Sequence, residues 1–241
     1  IFLAIFFFGF YKFSYAAPLL SSPAWTYESN QVSAYIGTSV ATAGDVNGDG
    51  LPDLLIREAD GSPNKVYMNN GSGWTYDSSW TIPVPITAGG GIHPGTLLVD
   101  VNGDGRIDIL HSKQGTASST YINNGSAWVL SSTTVPVYFS DSAGNDLGVR
   151  VADVNGDGLP DLLHNTAWDG NKVYINNGSA WTYDSSWTVP EVTVVNISLN
   201  NNRDLGTRFA DLNGDGLVDV VRRDESVNKI YLHNGDHGWT L

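Results

Sequence analysis

The nine residues DVNGDGLPD at 45–53 return as DVNGDGRID at 100–108, DVNGDGLPD at 153–161 and DLNGDGLVD at 211–219. The copies start 55, 53 and 58 residues apart. A segment that returns at an interval of this size is typical of an array of similar structural units. Each copy also holds three aspartates and an asparagine, whose side-chain oxygens are ligands that hard cations prefer. The repeat therefore predicts both an architecture and a chemistry.

The residues around each nonapeptide are strand-like. An apolar stretch follows each copy, and after a polar loop comes a segment that ends in a turn: KVYMNNGSGW at 65–74, STYINNGSAW at 119–128, KVYINNGSAW at 172–181 and KIYLHNGDHGW at 229–239. Alternating apolar residues before Asn-Gly are a strong hairpin signal, because both residues tolerate the positive φ of tight turns. No window shows sustained helical periodicity.

These units predict an all-β chain, a β-propeller built of four-stranded blades of 53–58 residues, with four repeats in the sequence. A β-solenoid is the structural alternative, but its repeats are usually about 20–30 residues long. Residues 22–29, SPAWTYES, resemble an outer strand and would complete the last blade of a small closed ring. Because four blades lie at the low end of the usual range, we favour a sequence that is part of a larger propeller.

The nonapeptide has the composition of a calcium loop. Asp45, Asn47 and Asp49 would line a tight loop whose glycines let the backbone curl, and Asp53 would close the cage from the next strand. The carbonyl at position seven, Leu51, can add a further oxygen. An oxygen cage of this kind suits Ca²⁺ better than Mg²⁺, which demands a stricter octahedron. We predict about one Ca²⁺ in each repeat, four in all.

The loop has two other interpretations. An EF-hand needs Glu at position 12 and flanking helices, whereas position 12 is here Ile56, His111, His164 or Arg222 and the flanks are strand-like. An ordinary turn is the plainer alternative, since Asp, Asn and Gly are common turn residues. Four loops with the same donor set at one spacing favour the metal site.

Each unit resembles the FG-GAP/VCBS repeat of integrin α-subunit propellers and of many bacterial surface and secreted proteins. The resemblance rests on the D-x-N-x-D-G-x-x-D loops and covers about residues 24–241. No Phe-Gly or Gly-Ala-Pro stretch is present, and Leu147-Gly148 and Leu205-Gly206 match it only loosely, which favours a bacterial, VCBS-like member. The resemblance implies a calcium site in the hairpin between the first two strands of each blade. Its implied ligands are Asp45, Asn47, Asp49, Leu51, Asp53, Asp100, Asn102, Asp104, Arg106, Asp108, Asp153, Asn155, Asp157, Leu159, Asp161, Asp211, Asn213, Asp215, Leu217 and Asp219.

The N-terminus predicts export. The apolar run IFLAIFFFGFYKF at 1–13 is followed by Ser-Tyr-Ala-Ala-Pro, a small-x-small cleavage pattern typical of a secretory signal. The run is shorter than the roughly 20 apolar residues of a membrane-spanning helix, so we expect no stable membrane span. We predict a signal peptide or hydrophobic segment at 1–17, a propeller at 18–241, and a protein that is secreted or displayed on the cell surface.

Composition excludes several functions. The formal net charge of −13 argues against nucleic-acid binding, and 12 of the 25 acidic residues lie in the nonapeptides, where a cation would bind. The absence of cysteine excludes disulfides and Cys-based zinc sites. The five histidines form no metal-ligand motif, and no nucleophile elbow or phosphate loop is present, so we expect no enzymatic activity.

We predict an extracellular, calcium-stabilised propeller that acts as an adhesion or protein-interaction module with an unidentified protein or glycan partner. The strands are near-identical, while the loops between blades and between second and third strands differ, as in a scaffold that presents a recognition surface. Trp168 with Asp169 would stack on a sugar and Arg222 with Arg223 would meet an anion; solvated loops are the plainer interpretation of both. The alternatives are a glycan-binding lectin, and a structural module of a larger toxin-like protein or self-assembling surface filament.

Overall fold

The computed structural model describes residues 40–42, 44–56, 64–86, 93–198, 201–224 and 227–241. Within these ranges every regular element is a β-strand. The strands form four sheets, one for each repeat, each built on four antiparallel strands and arranged as a four-bladed β-propeller. The predicted all-β fold and four-stranded blades are confirmed. The predicted signal segment at 1–17 and the strand-like residues 22–29 lie outside the described ranges.

Each blade runs from its first to its fourth strand in chain order. The strands are β1 Val40–Thr42, β2 Leu54–Ile56, β3 Lys65–Asn69 and β4 Trp74–Tyr76 in blade 1; β5 Thr96–Val99, β6 Asp108–His111, β7 Ser119–Asn123 and β8 Trp128–Ser131 in blade 2; β9 Val149–Ala152, β10 Asp161–Thr166, β11 Gly170–Asn176 and β12 Trp181–Tyr183 in blade 3; and β15 Thr207–Ala210, β16 Asp219–Arg223, β17 Asn228–His233 and β18 Trp239–Thr240 in blade 4.

An additional hairpin lies between blades 3 and 4. Where the sequence analysis expects a loop between blades, the structure has β13 Val194–Ser198 and β14 Asn201–Asp204. β13 joins the sheet of blade 3 through a parallel pairing of Val194 with Thr166. The β-branched residues of Val-Val-Asn-Ile favour an extended backbone, so this connection continues the sheet.

In the described part of the chain the hydrophobic core forms three clusters, each made from one blade, the linker that follows it and the next blade. In the first cluster Val46 and Leu55 of blade 1 meet Trp80 of the linker and Ile109 and Trp128 of blade 2. The second cluster lies between blades 2 and 3, and the third lies between blades 3 and 4. Trp128, on the outer strand of blade 2, is thus part of the core between blades.

Side-chain amides tie neighbouring blades together beside the nonapeptide loops. The Nδ2 of Asn123, at the end of β7, donates to the carbonyl of Val46 in the loop of blade 1 at 2.7 Å. Asn176, at the end of β11, donates in the same way to the carbonyl of Val101 in blade 2 at 2.7 Å. In blade 4 His233 takes this position, and its Nε2 is buried without a hydrogen-bond partner among the described residues.

Candidate metal centre

The first residue of each nonapeptide organises the loop through its carboxylate. Asp45 Oδ1 accepts the amide hydrogen of Gly48 at 2.6 Å, and Oδ2 accepts that of Gly50 at 2.6 Å. Both glycines have positive φ, 79° and 84°, a conformation that L side chains rarely adopt. The same pair of bonds is present for Asp100, Asp153 and Asp211. The four similar sequences therefore fold into loops with the same pair of backbone hydrogen bonds.

The third and fifth positions bind each other. Asn47 Nδ2 donates to Asp49 Oδ2 at 3.0 Å, and the amide of Leu51 donates to Asp49 Oδ1 at 2.8 Å. Asn102 with Asp104, Asn155 with Asp157 and Asn213 with Asp215 repeat the arrangement. The aspartate at position five is exposed in all four loops, so a cation can reach it from solvent.

The ninth position is the buried anchor of each loop. Asp108 accepts the amide of Val101 at 3.0 Å with one oxygen and the amide of Asn123 at 2.7 Å with the other. This carboxylate thereby joins the loop to the third strand of its own blade. Asp53, Asp161 and Asp219 make the corresponding pairs of bonds. All four carboxylates are fully buried.

Electrostatics mark these carboxylates as unusual. Burial raises the pKa of Asp108 to about 6; its two backbone hydrogen bonds offset part of the rise, and the carboxylates of Asp104 and Asp100 add to it. The pKa of Asp161 is raised to about 6 by the same kinds of cause. Burial also raises the pKa of Asp53, with Asp49 and Asp45 contributing. Three like charges in one loop repel one another, and a divalent cation would relieve that repulsion.

The donor set fits Ca²⁺, although the side chains are not converged on one point. Within the described residues, no three carboxylates or imidazoles form a group that could hold a metal ion as they stand. The loop carboxylates accept backbone amides instead, and each oxygen keeps lone pairs for a second partner. The available donors are all oxygens, as a hard cation requires. The residues that would hold the ion are the carboxylates and the amide oxygen of each loop, with the backbone carbonyl at position seven.

The seventh position packs each loop against its neighbour. The side chain of Leu159 lies 3.1 Å from where a Cβ on Gly103 would stand, and Leu217 lies 3.4 Å from the same point on Gly156. These glycines are thus needed both for their positive φ, 75° and 77°, and for the close approach of the next blade. The predicted metal loops of blades 1, 2 and 3 are each covered by the following blade in this way.

Arg106 makes the second loop different from the others. Its Nη2 binds Asp104 Oδ2 at 2.6 Å, and its Nε donates to the carbonyl of Asn123 at 3.1 Å. A guanidinium thus already neutralises one of the predicted calcium ligands. Only the backbone carbonyl of Arg106 was predicted to take part in the site. The arginine at position seven, where the other three loops have leucine, could have indicated this ion pair from the sequence.

At the opposite end of the blades, position 12 of the repeat holds a different environment in each blade. Arg222, at position 12 of the fourth repeat, binds Glu191 at 3.0 Å and Asp224 at 2.8 Å. Lys229 and Tyr231 also donate to Glu191, at 2.8 Å and 2.5 Å. Burial raises the pKa of Glu191, but these hydrogen bonds and charges outweigh it and leave the pKa below its ordinary value. Arg222, a predicted anion contact, is therefore engaged within the protein; Arg223 is exposed.

Blade 3 presents an aromatic side chain at this end. Trp168, in the hairpin between β10 and β11, is 47% exposed. Beside it Asp169 binds Lys172 at 2.7 Å, and the buried His164 lies 3.7 Å from the same carboxylate. His164, within β10, and His111, at the end of β6, occupy the same position of the repeat and are both buried. The hairpin offers an exposed indole next to paired charges.

A chain of ion pairs, which we call the charge ladder, connects blade 3 to blade 4 and was not predicted from the sequence. Arg150 binds Asp146 at 3.0 Å and Asp204 at 3.2 Å, and Arg208 binds Asp204 at 2.9 Å. The arginines lie on the first strands of the two blades, β9 and β15. The signal was a second repeat, Asp-Leu-Gly-x-Arg, which precedes the nonapeptide in both blades.

Four-stranded antiparallel blades that each carry an aspartate-rich loop between the first two strands define a class of repeat propellers. A family model described as FG-GAP-like repeat matches residues 45–111 and again 100–164. The chain belongs to the FG-GAP-like repeat family. No curated protein matches the sequence. The described residues include no helix long and apolar enough to cross a bilayer.

Two solved structures are similar in fold. One is a lectin from Agrocybe aegerita, in a structure of the specific recognition of non-reducing terminal N-acetylglucosamine; it is 22% identical with a TM-score of 0.51 over 82% of this chain and 49% of the lectin chain. The other is the Tc holotoxin pore of Photorhabdus luminescens, 18% identical with a TM-score of 0.53 over 86% of this chain and 9% of the toxin chain. This chain thus spans about half of the lectin chain and a small part of the toxin chain. At these identities the likeness concerns the fold alone.

Proposed function

We propose that this protein is an exported, non-enzymatic propeller that calcium stabilises and that binds an extracellular partner through the blade ends opposite its aspartate loops. The observation that carries the proposal is a contrast between the two ends of the blades. At one end four loops repeat the same hydrogen bonds around a buried carboxylate. At the other end the same register position holds Ile56, His111, His164 or Arg222.

Calcium in this proposal is structural. An ion that binds the folded loops and not the unfolded chain stabilises the fold by mass action. Extracellular calcium modules of moderate affinity have dissociation constants of about 10⁻⁴–10⁻³ M. Thermal unfolding with 5 mM Ca²⁺, 5 mM Mg²⁺ or excess chelator tests this part of the proposal. We expect a higher melting temperature with Ca²⁺ only, and identical curves in all three solutions would contradict it.

The binding surface can be tested by blocking one end at a time, since the chain has no native cysteine. Trp168→Cys places a thiol at the proposed binding end, and Ser126→Cys places one in the turn between β7 and β8, at the end of the metal loops. Each variant is modified with a bulky polyethylene glycol maleimide and used to coat beads for adhesion to a panel of cell types. Adhesion should fall with modification at 168 and persist with modification at 126. Equal loss at both positions, or no adhesion by the unmodified protein, would count against the proposal.

Glycan binding is the second candidate, and the exposed indole of Trp168 favours it. An aromatic face stacks on a sugar ring, while Asp169 and Lys172 next to it can hydrogen-bond hydroxyl groups. A glycan array that includes structures ending in N-acetylglucosamine separates this candidate from protein binding. Trp168→Ala should abolish any signal, whereas Tyr183→Ala, which removes a 53% exposed ring elsewhere, should not change it. An array without signal at millimolar Ca²⁺ would leave protein binding as the proposal.

A further inference from the structure

The chain contains eight Asn-Gly pairs, four in the nonapeptides and four in the turns between the third and fourth strands of the blades. An asparagine before glycine loses its side-chain amide readily, because the glycine nitrogen can attack the asparagine Cγ without hindrance from a side chain. The attack is helped by a base that takes the proton from that nitrogen and by an asparagine side chain that is free to turn onto it. The eight pairs differ in both respects.

The nonapeptide asparagines are held at both ends of the side-chain amide. Asn213 Nδ2 donates to Asp215 Oδ2 at 2.9 Å, and Asn213 Oδ1 accepts the amide hydrogen of Asp215 at 2.9 Å. The same two bonds hold Asn47, Asn102 and Asn155. The following glycine nitrogen donates to a carboxylate, but turning the asparagine onto it would break both bonds. We therefore expect these four pairs to react slowly.

In the turns of blades 1 to 3 the asparagine is also held, and the glycine nitrogen faces a weak acceptor. Asn124 Oδ1 accepts three hydrogen bonds of 2.9–3.0 Å from the two residues after the glycine. Asn177 accepts the same three, and Asn70 accepts two. The nitrogen of Gly125 donates to the amide oxygen of Asn123 at 2.8 Å. An amide oxygen is too weak a base to take the proton of that nitrogen.

The turn of blade 4 differs in both features. His233 stands where the other blades have asparagine, and the nitrogen of Gly235 donates to its Nδ1 at 3.0 Å. Asn234 Oδ1 accepts one hydrogen bond among the described residues, from the amide of Asp236 at 3.0 Å. The attacking nitrogen thus already lies against a base, and its target is less restrained. The amide of Asp236 would also stabilise the negative charge that develops on Oδ1.

The surroundings of His233 suit a base that becomes charged only transiently. The imidazole is buried between blades 3 and 4, and its Nε2 has no hydrogen-bond partner in the described part of the chain. Because Nδ1 accepts a hydrogen bond, the neutral ring carries its proton on Nε2. The rings of Trp187 and Trp239 lie 5.6 and 5.5 Å from the imidazole, a distance at which an aromatic ring attracts a cation.

We propose that Asn234 is a self-modification site, at which His233 promotes conversion of the asparagine to isoaspartate. His233 Nδ1 takes the proton of the Gly235 nitrogen as that nitrogen bonds to the Asn234 Cγ. The proton then passes to the side-chain nitrogen, the Cγ–Nδ2 bond breaks, and ammonia leaves a succinimide ring. Water opens the ring, giving isoaspartate when the original peptide bond breaks and aspartate when the new bond breaks. The net reaction consumes one water and releases one ammonia.

The product would alter the support of the fourth nonapeptide loop. Isoaspartate lengthens the backbone of the turn by one carbon and adds a negative charge. The strands on either side of this turn pair His233 with Trp239. Trp239 Nε1 donates to the carbonyl of Val218, next to the buried Asp219, at 2.6 Å. A displaced turn would therefore disturb the contact between β18 and the anchor of this loop.

Peptide mapping by mass spectrometry tests the proposal on the purified full chain, sampled during incubation in warm neutral buffer. We expect Asn234 to be converted at least about tenfold faster than Asn124 or Asn177, since a positioned base contributes roughly 10²–10⁴-fold. His233→Asn restores the residue of blades 2 and 3 and should lower the rate at Asn234 to theirs. His237→Asn is the matched control, because it removes the exposed neighbouring imidazole, and it should leave the rate unchanged.

Two further measurements on the wild-type chain do not depend on a variant's folding. In urea the three rates should become similar, because the hydrogen bond from Gly235 to His233 is lost. Fragmentation spectra of the native sample should show isoaspartate as well as aspartate, since direct attack of water on the side chain gives aspartate alone. Equal rates in the folded protein, an unchanged rate in folded His233→Asn, the same excess in urea, or aspartate without isoaspartate would each overturn the proposal.

Discussion

Replacing Asp108 by alanine should destabilise the protein more than replacing any other residue of its loop. The carboxylate is fully buried and accepts the backbone amides of Val101 and Asn123 at 3.0 and 2.7 Å. Its removal leaves two buried donors without partners, at about 1–3 kcal/mol each. We expect a loss of about 2–6 kcal/mol in calcium-free solution, a large part of the roughly 5–15 kcal/mol that stabilises a typical domain.

Asp104→Ala in the same loop is the matched comparison, because that carboxylate is solvent-exposed and holds no buried amide. It should cost under about 1 kcal/mol without calcium. With 10 mM Ca²⁺, both variants should also forgo the stabilisation of one site, about 1.4–2.7 kcal/mol for dissociation constants of 10⁻³–10⁻⁴ M. Urea unfolding with and without Ca²⁺ measures all four differences. Equal losses for Asp108→Ala and Asp104→Ala in calcium-free solution would refute the assignment of Asp108 as the buried anchor.

Three further predictions concern the loops and the opposite end. Arg106→Leu should increase the calcium affinity of the second loop, because it removes a competing cation; calorimetry would contradict this if the binding isotherm were unchanged. In calcium-free solution Asp108 and Asp161 should contribute more stability as pH falls from 7 toward 4, since their folded pKa of about 6 exceeds the unfolded value of 3.8; this contribution is complete below 3.8 and lost above about 6. Burial lowers the pKa of His93, His111 and His164, which acts in the opposite direction, so the trend is measured against the double variant Asp108→Asn with Asp161→Asn. With Ca²⁺ the trend should reverse, and urea midpoints at pH 4.5 and 7 decide the sign. Glu191→Gln should cost about 2 kcal/mol by leaving the buried Arg222 half paired, and an unchanged midpoint would show that the network adds nothing.

The blades and the loops were predictable because the same loop and strand sequences occur four times. One Asp-Asn-Gly loop is compatible with any turn, but four copies with the same strand pattern behind them predict a propeller blade. The repeat did not indicate that Asp53 and its counterparts accept two backbone amides. An aspartate is expected at this position whether it binds a metal ion or holds the loop to the third strand, so the sequence does not distinguish the two roles. The additional hairpin at β13 and β14 was missed for the opposite reason, because it occurs once.

The charge networks were not predictable from local spacing. Glu191 meets Arg222 and Tyr231 across 31 and 40 residues of sequence, and no pattern of either segment indicates the other. The ladder from Arg150 to Asp204 was accessible in part, since Asp-Leu-Gly-x-Arg occurs in both blades. Its inter-blade contact needed the three-dimensional arrangement. Ion pairs between residues that are distant in the sequence are thus the part of this structure that could not be predicted.

The asparagine that ties neighbouring blades has a consequence for how ions would load. Asp161 holds the backbone amide of Asn176 in the third repeat, and the side chain of Asn176 holds the carbonyl of Val101 beside Asp100 in the second. Two adjacent loops of the proposed calcium sites are therefore joined by a single residue, so occupancy of one should favour occupancy of the next, as in a one-dimensional lattice with nearest-neighbour coupling. At the fourth repeat the relay stops, because His233 does not extend a hydrogen bond to blade 3 within the described residues. The first three loops should fill cooperatively, and the fourth should titrate on its own.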